Sequence, residues 1–286
     1  MTDDRQDRNQ VFGGTNVTSP VQHLTNRSMG DISYDVPVEV VPLPSQGLIY
    51  SPEHPLFNKT GVEITSMTAR EEDILTSSAF IKKGTVITEL IKSCLVDKTI
   101  DPSTLLAGDR NVLMVSIRIT GYGESYDGDI ECDECGKKTA RTFDLRNLPL
   151  KRLAIEPAVT GQNAFDFKLP VSGRTVRFRF MTGKIEEEIN TIQERQKKVM
   201  GMQRDTLVTT NLTHSIVSVD GIEDRTQIVK FINTMPALDS RALRNYIREN
   251  EPGLIMKQES ECKACGHVEE VTIPLGINFF WAQPGR

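Results

Sequence analysis

The apolar residues between positions 67 and 125 recur at helical spacing. Thr68 and Glu71 have the spacing of a capping box, which predicts a helix that runs to about Ile81. A later helix is expected to start at Asp109, because an aspartate before an apolar series is a common helix start. A further apolar series at helical spacing consists of Ile87, Leu90, Ile91, Cys94 and Leu95. We therefore expect 67–125 to be a helical region, with Cys94 on a buried face.

The chain between 151 and 255 is expected to be an insert that contains one β-hairpin followed by helices. Apolar and polar residues alternate on both sides of Ser172-Gly173, which is typical of a hairpin. The apolar face of its second strand is expected to hold Val176, Phe178 and Phe180. A long helix is expected from about Gly183 and another from Asp239. A helical N-terminal half followed by this insert predicts the α+β class.

Polar and proline-rich sequence precedes the helical region. Residues 1–35 contain few large apolar side chains, so we expect an arm that is disordered or bound to a partner. Prolines recur through 36–66, which favours an extended, proline-rich strap. At the other end of the chain, 276–281 is aromatic. This composition indicates a tail that docks on the protein's own core or on a neighbouring subunit.

Four of the five cysteines form two Cys-x-x-Cys motifs, each followed by a glycine. The candidate metal ligands are Cys132, Cys135, Cys262 and Cys265. Four thiolates bind one zinc ion tetrahedrally at about 2.3 Å, and glycine can take the positive φ angle with which the chain leaves such a turn. We expect zinc knuckles on hairpins at 126–150 and 256–286 that face each other as one zinc ribbon. A site of four cysteines has no open position for water, so one structural Zn²⁺ per chain is predicted.

Three other interpretations of the cysteines stay open. The two pairs could be reduced thiols that hold no metal. A dithiol redox motif also contains Cys-x-x-Cys, although such a motif normally occurs once and beside a βαβ unit. His267, which follows the second motif, could replace one thiolate as a ligand.

The overall composition is that of an ordinary globular protein. Of the 286 residues, 38% are hydrophobic and 26% are charged, and no apolar run approaches the ~20 residues that cross a bilayer. The first residues are polar, unlike a signal peptide, so we expect a protein that folds in the cytosol and has no membrane partner. The net charge of −5 argues against general binding to a phosphate backbone.

The sequence offers no recognisable catalytic constellation. It contains no glycine-rich phosphate loop, no Gly-x-Ser-x-Gly turn and no His-Glu-x-x-His helix. The four histidines, at positions 23, 54, 214 and 267, are scattered along the chain. Because no nucleophile, base or open metal site can be assembled, the sequence predicts a protein that is not an enzyme.

Several stretches, taken in order, resemble a known family. They are Leu43-Pro-Ser-Gln-Gly-Leu-Ile-Tyr50, Met67-Thr-Ala-Arg-Glu-Glu-Asp-Ile-Leu75, Gly108-Asp-Arg110 with Arg118 and Gly121-Tyr-Gly123, and the first Cys-x-x-Cys motif. Over about residues 40–275 the chain is similar to the T4-type baseplate proteins of contractile-tailed bacteriophages, the hub and baseplate-assembly component.

The resemblance implies a protein of the virion tail baseplate that is built in the host cytoplasm and catalyses no reaction. It also implies that the chain binds other baseplate and hub proteins, and we expect several symmetry-related copies. Members of the family differ in whether they stay in the finished particle or act only in assembly, so both roles stay open.

A nucleic-acid-associated zinc ribbon, such as a transcription or replication factor, is the alternative function. It predicts basic and aromatic residues on the two hairpins. The first hairpin offers Lys137, Lys138 and Arg141. The second carries Glu261, Glu269 and Glu270. This balance of charge disfavours nucleic acid as a partner. A zinc-dependent hydrolase would need a ligand set other than cysteine, which the sequence does not supply.

Overall fold

The computed structural model describes residues 35–200 and 207–280. The predicted arm at 1–35, apart from its last residue, and Trp281 of the predicted aromatic tail lie outside the described residues. Among the described residues, no helix is both long and apolar enough to cross a membrane.

The described residues form eight α-helices and eleven short strands. The helices are α1 Ala69–Thr76, α2 Ser78–Lys83, α3 Val86–Cys94, α4 Ala107–Tyr122, α5 Gly183–Met200, α6 Leu207–Ser215, α7 Arg225–Thr234 and α8 Ala237–Asn250. The strands are β1 Val38–Pro42, β2 Gly61–Thr65, β3 Ser125–Glu131, β4 Lys138–Asp144, β5 Leu150–Lys151, β6 Phe165–Lys168, β7 Thr175–Phe178, β8 Ile216–Val219, β9 Gly253–Leu254, β10 Lys257–Glu261 and β11 Val268–Thr272. All strand pairs described are antiparallel, in the small sheets β1–β2, β3–β4, β5–β9, β6–β7–β8 and β10–β11. This mixed content fits the α+β class.

The capping box predicted at Thr68 is present at the start of α1. The Thr68 amide donates to a Glu71 carboxylate oxygen at 3.0 Å, and the Ser93 hydroxyl of α3 donates to the other oxygen at 2.6 Å. The predicted continuation to Ile81 is interrupted, since α1 ends at Thr76 and α2 follows as a separate short helix. Helix α3 forms as predicted, with the Cys94 side chain fully buried.

The prediction that Asp109 starts a helix is wrong, because α4 begins two residues earlier and Asp109 is buried within its first turn. Its carboxylate accepts the Ser45 amide at 3.0 Å, the Ser45 hydroxyl at 2.6 Å and the Tyr50 hydroxyl at 2.6 Å. The Tyr50 oxygen in turn accepts the Leu106 amide at 3.1 Å. Burial raises the pKa of Asp109, while the hydrogen bonds from Ser45 and Tyr50 act in the opposite direction. The network joins residues 43–50 to α4.

Residues 36–66, expected as an extended strap, form the β1–β2 pair with a series of turns between the strands. The connecting residues are part of the core, where Leu43, Ile49, Tyr50 and Leu56 are buried. The prolines therefore stand at strand ends and turns, where no ladder hydrogen bond needs their amide.

Helix α4 carries two more buried charges. The Arg110 guanidinium donates to the Thr88 hydroxyl at 3.1 Å and pairs with Glu187 at 3.5 Å. Arg118 donates to the carbonyls of Gly123 at 3.0 Å and of Phe279 at 3.3 Å. The second of these contacts holds the C-terminal segment, in which Phe279 and Phe280 are buried against the protein's own core.

The two ends of the chain between 151 and 255, which the sequence predicts to be an insert, lie side by side. Strands β5 and β9 pair Leu150 with Leu254 and Lys151 with Gly253. Next to them, a Cβ on Gly108 would lie 1.8 Å from the Pro252 carbonyl oxygen, so only glycine lets α4 pack there.

The predicted hairpin of the insert is confirmed as β6–β7. On its inner face the side chains of Val176, Phe178 and Phe180 are fully buried. Helix α5 starts at Gly183 as predicted, whereas α8 starts at Ala237, before Asp239. The Asp239 carboxylate instead accepts the amides of the hairpin turn, from Val171 at 2.7 Å and Ser172 at 3.0 Å.

Removing Asp109 should cost more stability than removing any one of its donors. Asp109→Ala leaves the Ser45 and Tyr50 donors buried without an acceptor, so we expect the free energy of unfolding to fall by about 3–5 kcal/mol. Tyr50→Phe removes one donor and should cost about 1–2 kcal/mol. Urea unfolding followed by circular dichroism measures both. The exposed Asp129→Ala serves as control, and equal losses for Asp109→Ala and Tyr50→Phe would contradict the network.

Candidate metal centre

Each cysteine motif forms the turn of a hairpin. In the first, the Cys132 amide donates to the Lys137 carbonyl at 3.1 Å and the Gly136 amide donates to the Cys132 carbonyl at 2.8 Å. The same two bonds recur in the second motif, both at 2.8 Å. Gly136 and Gly266 have φ angles of 66° and 75°, as expected for the glycine that leaves each turn. The two motifs are therefore local copies of one structure.

The strands of each hairpin hold its turn in place. Strands β3 and β4 pair from Ser125 with Asp144 to Glu131 with Lys138, directly below the first motif. Strands β10 and β11 pair in the same way below the second motif. Where the hairpins meet, the Gln258 side chain of β10 donates to the Asp144 carbonyl of β4.

The fold brings the four predicted cysteines together. The Cys132 and Cys265 sulfurs are 3.7 Å apart, the Cys135 and Cys262 sulfurs are 3.8 Å apart, and all four lie within 4.8 Å of one another. Four sulfurs held tetrahedrally at about 2.3 Å from one ion would be separated by about 3.8 Å. A disulfide would need about 2.05 Å. The cluster is thus compatible with a metal ion, and all four cysteines are free thiols.

The pKa values of the two thiols in the second motif are shifted in opposite directions. The main-chain amide of Ala264, followed by that of Cys265, donates to Cys262 and lowers its pKa to about 6. The His267 amide lowers the pKa of Cys265, but burial and the neighbouring thiols outweigh it and raise that pKa to about 12. Four thiolates in one cluster repel each other, and a bound divalent cation would remove this opposition.

His267 contributes to the second motif through its main chain. Its carbonyl accepts the Cys262 amide at 2.8 Å, in the bond that closes the second turn. Among the described residues, the group placed to hold an ion consists of the four cysteines.

An ion pair that sequence reasoning missed crosses between the hairpins. Arg141 of β4 is only 1% exposed, and its guanidinium donates to the Glu269 carboxylate of β11 and to the Ser260 carbonyl at 3.3 Å. The other Glu269 oxygen accepts the Asp133 amide of the first motif at 3.0 Å. Burial opposes the charge on Arg141, but its hydrogen bond to Glu269 and the negative charge of Glu269 outweigh burial, so the pKa of Arg141 is raised.

Arg141, which the sequence counts among the basic residues that the first hairpin offers to a nucleic acid, is therefore not on the hairpin surface. Alternation along β4 already puts Arg141 on the same face as the buried Phe143, which was the available signal. The counter-charge on β11 could not be found locally, because Glu269 lies 128 residues away.

The outer surface of the two hairpins is acidic. The exposed basic side chains on residues 125–144 and 257–272 are Lys137, Lys138, Lys257 and Lys263. Their exposed acidic side chains are Asp127, Asp129, Glu131, Asp133, Glu134, Asp144, Glu259, Glu261 and Glu270. A phosphate backbone would meet net repulsion here.

We expect Glu269→Leu to destabilise the protein strongly, because it leaves the Arg141 guanidinium buried without its counter-charge. Adding Arg141→Met should restore much of the lost free energy of unfolding, since both charges are then absent. The matched control is Glu270→Leu, which breaks the exposed Lys257–Glu270 pair and should cost several times less. A double variant less stable than Glu269→Leu alone would argue against the pairing. Urea unfolding of the wild-type protein, Glu269→Leu, Arg141→Met and the double variant measures the coupling, and Glu270→Leu is the control.

Comparison with known proteins identifies the family. A family model described as T4 bacteriophage base plate protein matches residues 52–281, which include both cysteine motifs and α4. The stretch Leu43–Tyr50, one of those on which the resemblance rested, lies just before the matched residues. No curated protein and no solved structure matches the chain. Because the match covers most of the sequence, the chain belongs to the T4 bacteriophage base plate protein family.

Proposed function

We propose that this protein is a non-catalytic structural or assembly component of a contractile phage tail baseplate, with its two hairpins joined by one zinc ion. The family match over residues 52–281 carries the baseplate role. The ligands we assign are Cys132, Cys135, Cys262 and Cys265.

Two observations support zinc as the ion. Thiolates are soft ligands that favour zinc among the common divalent metals, and the sulfur separations of 3.7 and 3.8 Å fit a tetrahedral site. All four positions of such a site are filled by protein, which leaves none for a substrate or a reactive water. The ion therefore joins two hairpins that are distant in sequence and adds to folding stability.

The partners that we assign are other baseplate and hub proteins. The protein would bind them in the virion tail, which is assembled in the host cytoplasm. We also propose several symmetry-related copies of the chain, because oligomers of one chain usually have closed symmetry. The arm at 1–35 is proposed as one of the segments that lie on these partners.

The nucleic-acid alternative gains no support from the described surface. Of the three basic residues that favoured it on the first hairpin, Arg141 is buried in an ion pair. Exposed carboxylates outnumber exposed lysines on both hairpins taken together. We therefore assign protein partners.

The zinc assignment predicts about one zinc per purified chain, measured by inductively coupled plasma mass spectrometry. Cys132→Ser should lower the zinc content well below one and lower the melting temperature, because the serine hydroxyl is a poor ligand for zinc. Cys94→Ala is the matched control. It removes the one cysteine outside the cluster, which is buried on α3, and should keep one zinc per chain. Unchanged zinc content in Cys132→Ser would refute the ligand set.

The baseplate assignment predicts where the protein is found during infection. Quantitative mass spectrometry of purified virions should recover it at a small fixed ratio to the tail-tube subunit if it stays in the particle. Recovery only from assembly intermediates of the tail would make it an assembly factor. Absence from both, together with a salt-sensitive shift of DNA or RNA by the purified protein, would overturn the proposal in favour of nucleic-acid binding.

A further inference from the structure

A cleft of about 510 Å³ lies on the side of α4 that faces the insert. Its walls come from α3, α4, α5 and α6 and from the C-terminal segment at residues 275–276. The volume is in the range of ligand-binding clefts, roughly 300–1,000 Å³. The cleft is separate from the cysteine cluster, none of whose residues lines it.

Three asparagines from three different helices line the cleft. Asn111 belongs to α4, Asn190 to α5 and Asn211 to α6. Their side-chain amides make no hydrogen bond among the residues whose side chains are described, 35–192, 207–276 and 279–280, and Asn190 and Asn211 are exposed to solvent. A side-chain amide offers donors and an acceptor together, which is the complement of a peptide group in an extended chain.

The charges in the cleft are only partly compensated. Glu187 is paired with Arg110, but Glu186 has no ion pair among the residues described. Burial raises the pKa of Glu186, and burial together with the charge of Glu186 also raises the pKa of the nearby Glu251. The charge of Arg110 acts against this effect of burial on Glu186. The buried Nη1 atom of Arg110 packs against Gly183 and is not exposed to the cleft. The cleft therefore offers the Glu186 carboxylate, which has no ion pair among the described residues, to a positively charged group.

The remaining wall is apolar and adaptable. It is formed by Ile87, Met114, Met181, Ile189 and Leu275. Methionine side chains can rearrange around ligands of irregular shape, which suits a side chain inserted by a partner. A nucleotide or phosphate is a poor match, because the two glutamates outnumber the single arginine in the lining.

We propose that this cleft binds an extended segment of another baseplate protein, with its main chain held by the three asparagines and a lysine or arginine of the segment paired with Glu186. The proposal rests on the baseplate role proposed above and names the kind of partner that the role requires.

The test uses overlapping 15-residue peptides that cover the other tail proteins encoded by the same phage, together with residues 1–34 of this chain. An array of these peptides is probed with the purified full-length protein, and each hit is then measured by fluorescence anisotropy. We expect hits from another tail protein that contain lysine or arginine. Glu186→Gln should weaken their binding by roughly tenfold or more, and Asn190→Ala by several fold.

Two control variants separate binding at the cleft from general effects. Glu249→Gln on α8 and Asn233→Ala on α7 change exposed residues of the same types away from the cleft and should leave binding unchanged. Melting temperatures of all four variants show whether each is folded. If Glu186→Gln is unstable, Asn190→Ala alone decides the outcome.

Three results would overturn the inference. One is the absence of any hit, and another is binding that Glu186→Gln and Asn190→Ala do not weaken. The third is binding by peptides from residues 1–34 alone, which would make the protein's own arm the occupant. None of these results would contradict recovery of the zinc-bound protein from virions. The cleft proposal and the baseplate proposal can therefore fail independently of each other.

Discussion

Helix α4 carries three charged side chains into the interior, and each is held by a different part of the chain. A charge can stay buried only where hydrogen bonds and opposite charges replace water. Asp109 takes its donors from the turns after β1, Arg110 reaches α3 and α5, and Arg118 holds the end of α4 to the C-terminal segment. If any of these segments left its place, a charge would stay in the core without partners. The packing of remote segments is thus coupled through one helix, in addition to the apolar contacts of the core.

Features that depend on residues a few positions apart could be predicted from the sequence. The capping box at Thr68, the hairpin around Ser172-Gly173 and the glycine after each cysteine motif are all of this kind, because their hydrogen bonds close within one turn. Asp109 shows where local rules end. An aspartate at the start of an apolar series favours a cap, yet this carboxylate binds Ser45, 64 residues away. A local preference was overruled by a long-range contact that the sequence does not mark.

In the candidate metal centre, too, local features could be predicted from the sequence and long-range contacts could not. The spacing of the cysteines marked them directly, since each motif is a turn with its own internal bonds. The pair of Arg141 and Glu269 left only a weak signal, because alternation along β4 indicates which face Arg141 occupies and not what covers it. The acidic and basic residues of the hairpins could be counted from the sequence, but the number of exposed basic side chains fell once Arg141 proved to be buried. Burial of one charge therefore altered the functional argument.

The long stretch of chain between the two cysteine hairpins is compatible with a stable fold because its two ends are joined. The entropic cost of closing a loop grows only with the logarithm of its length, so pairing the ends of a long loop costs little more than pairing those of a short one. Strands β5 and β9 make that pairing, and the bond from the Ile255 amide to the Pro149 carbonyl at 2.9 Å extends it. The ion pair between Arg141 and Glu269 then fixes the hairpins beside each other. The four sulfurs meet on a scaffold that protein contacts already hold, so an ion bound there gains affinity from ligands that need little further ordering.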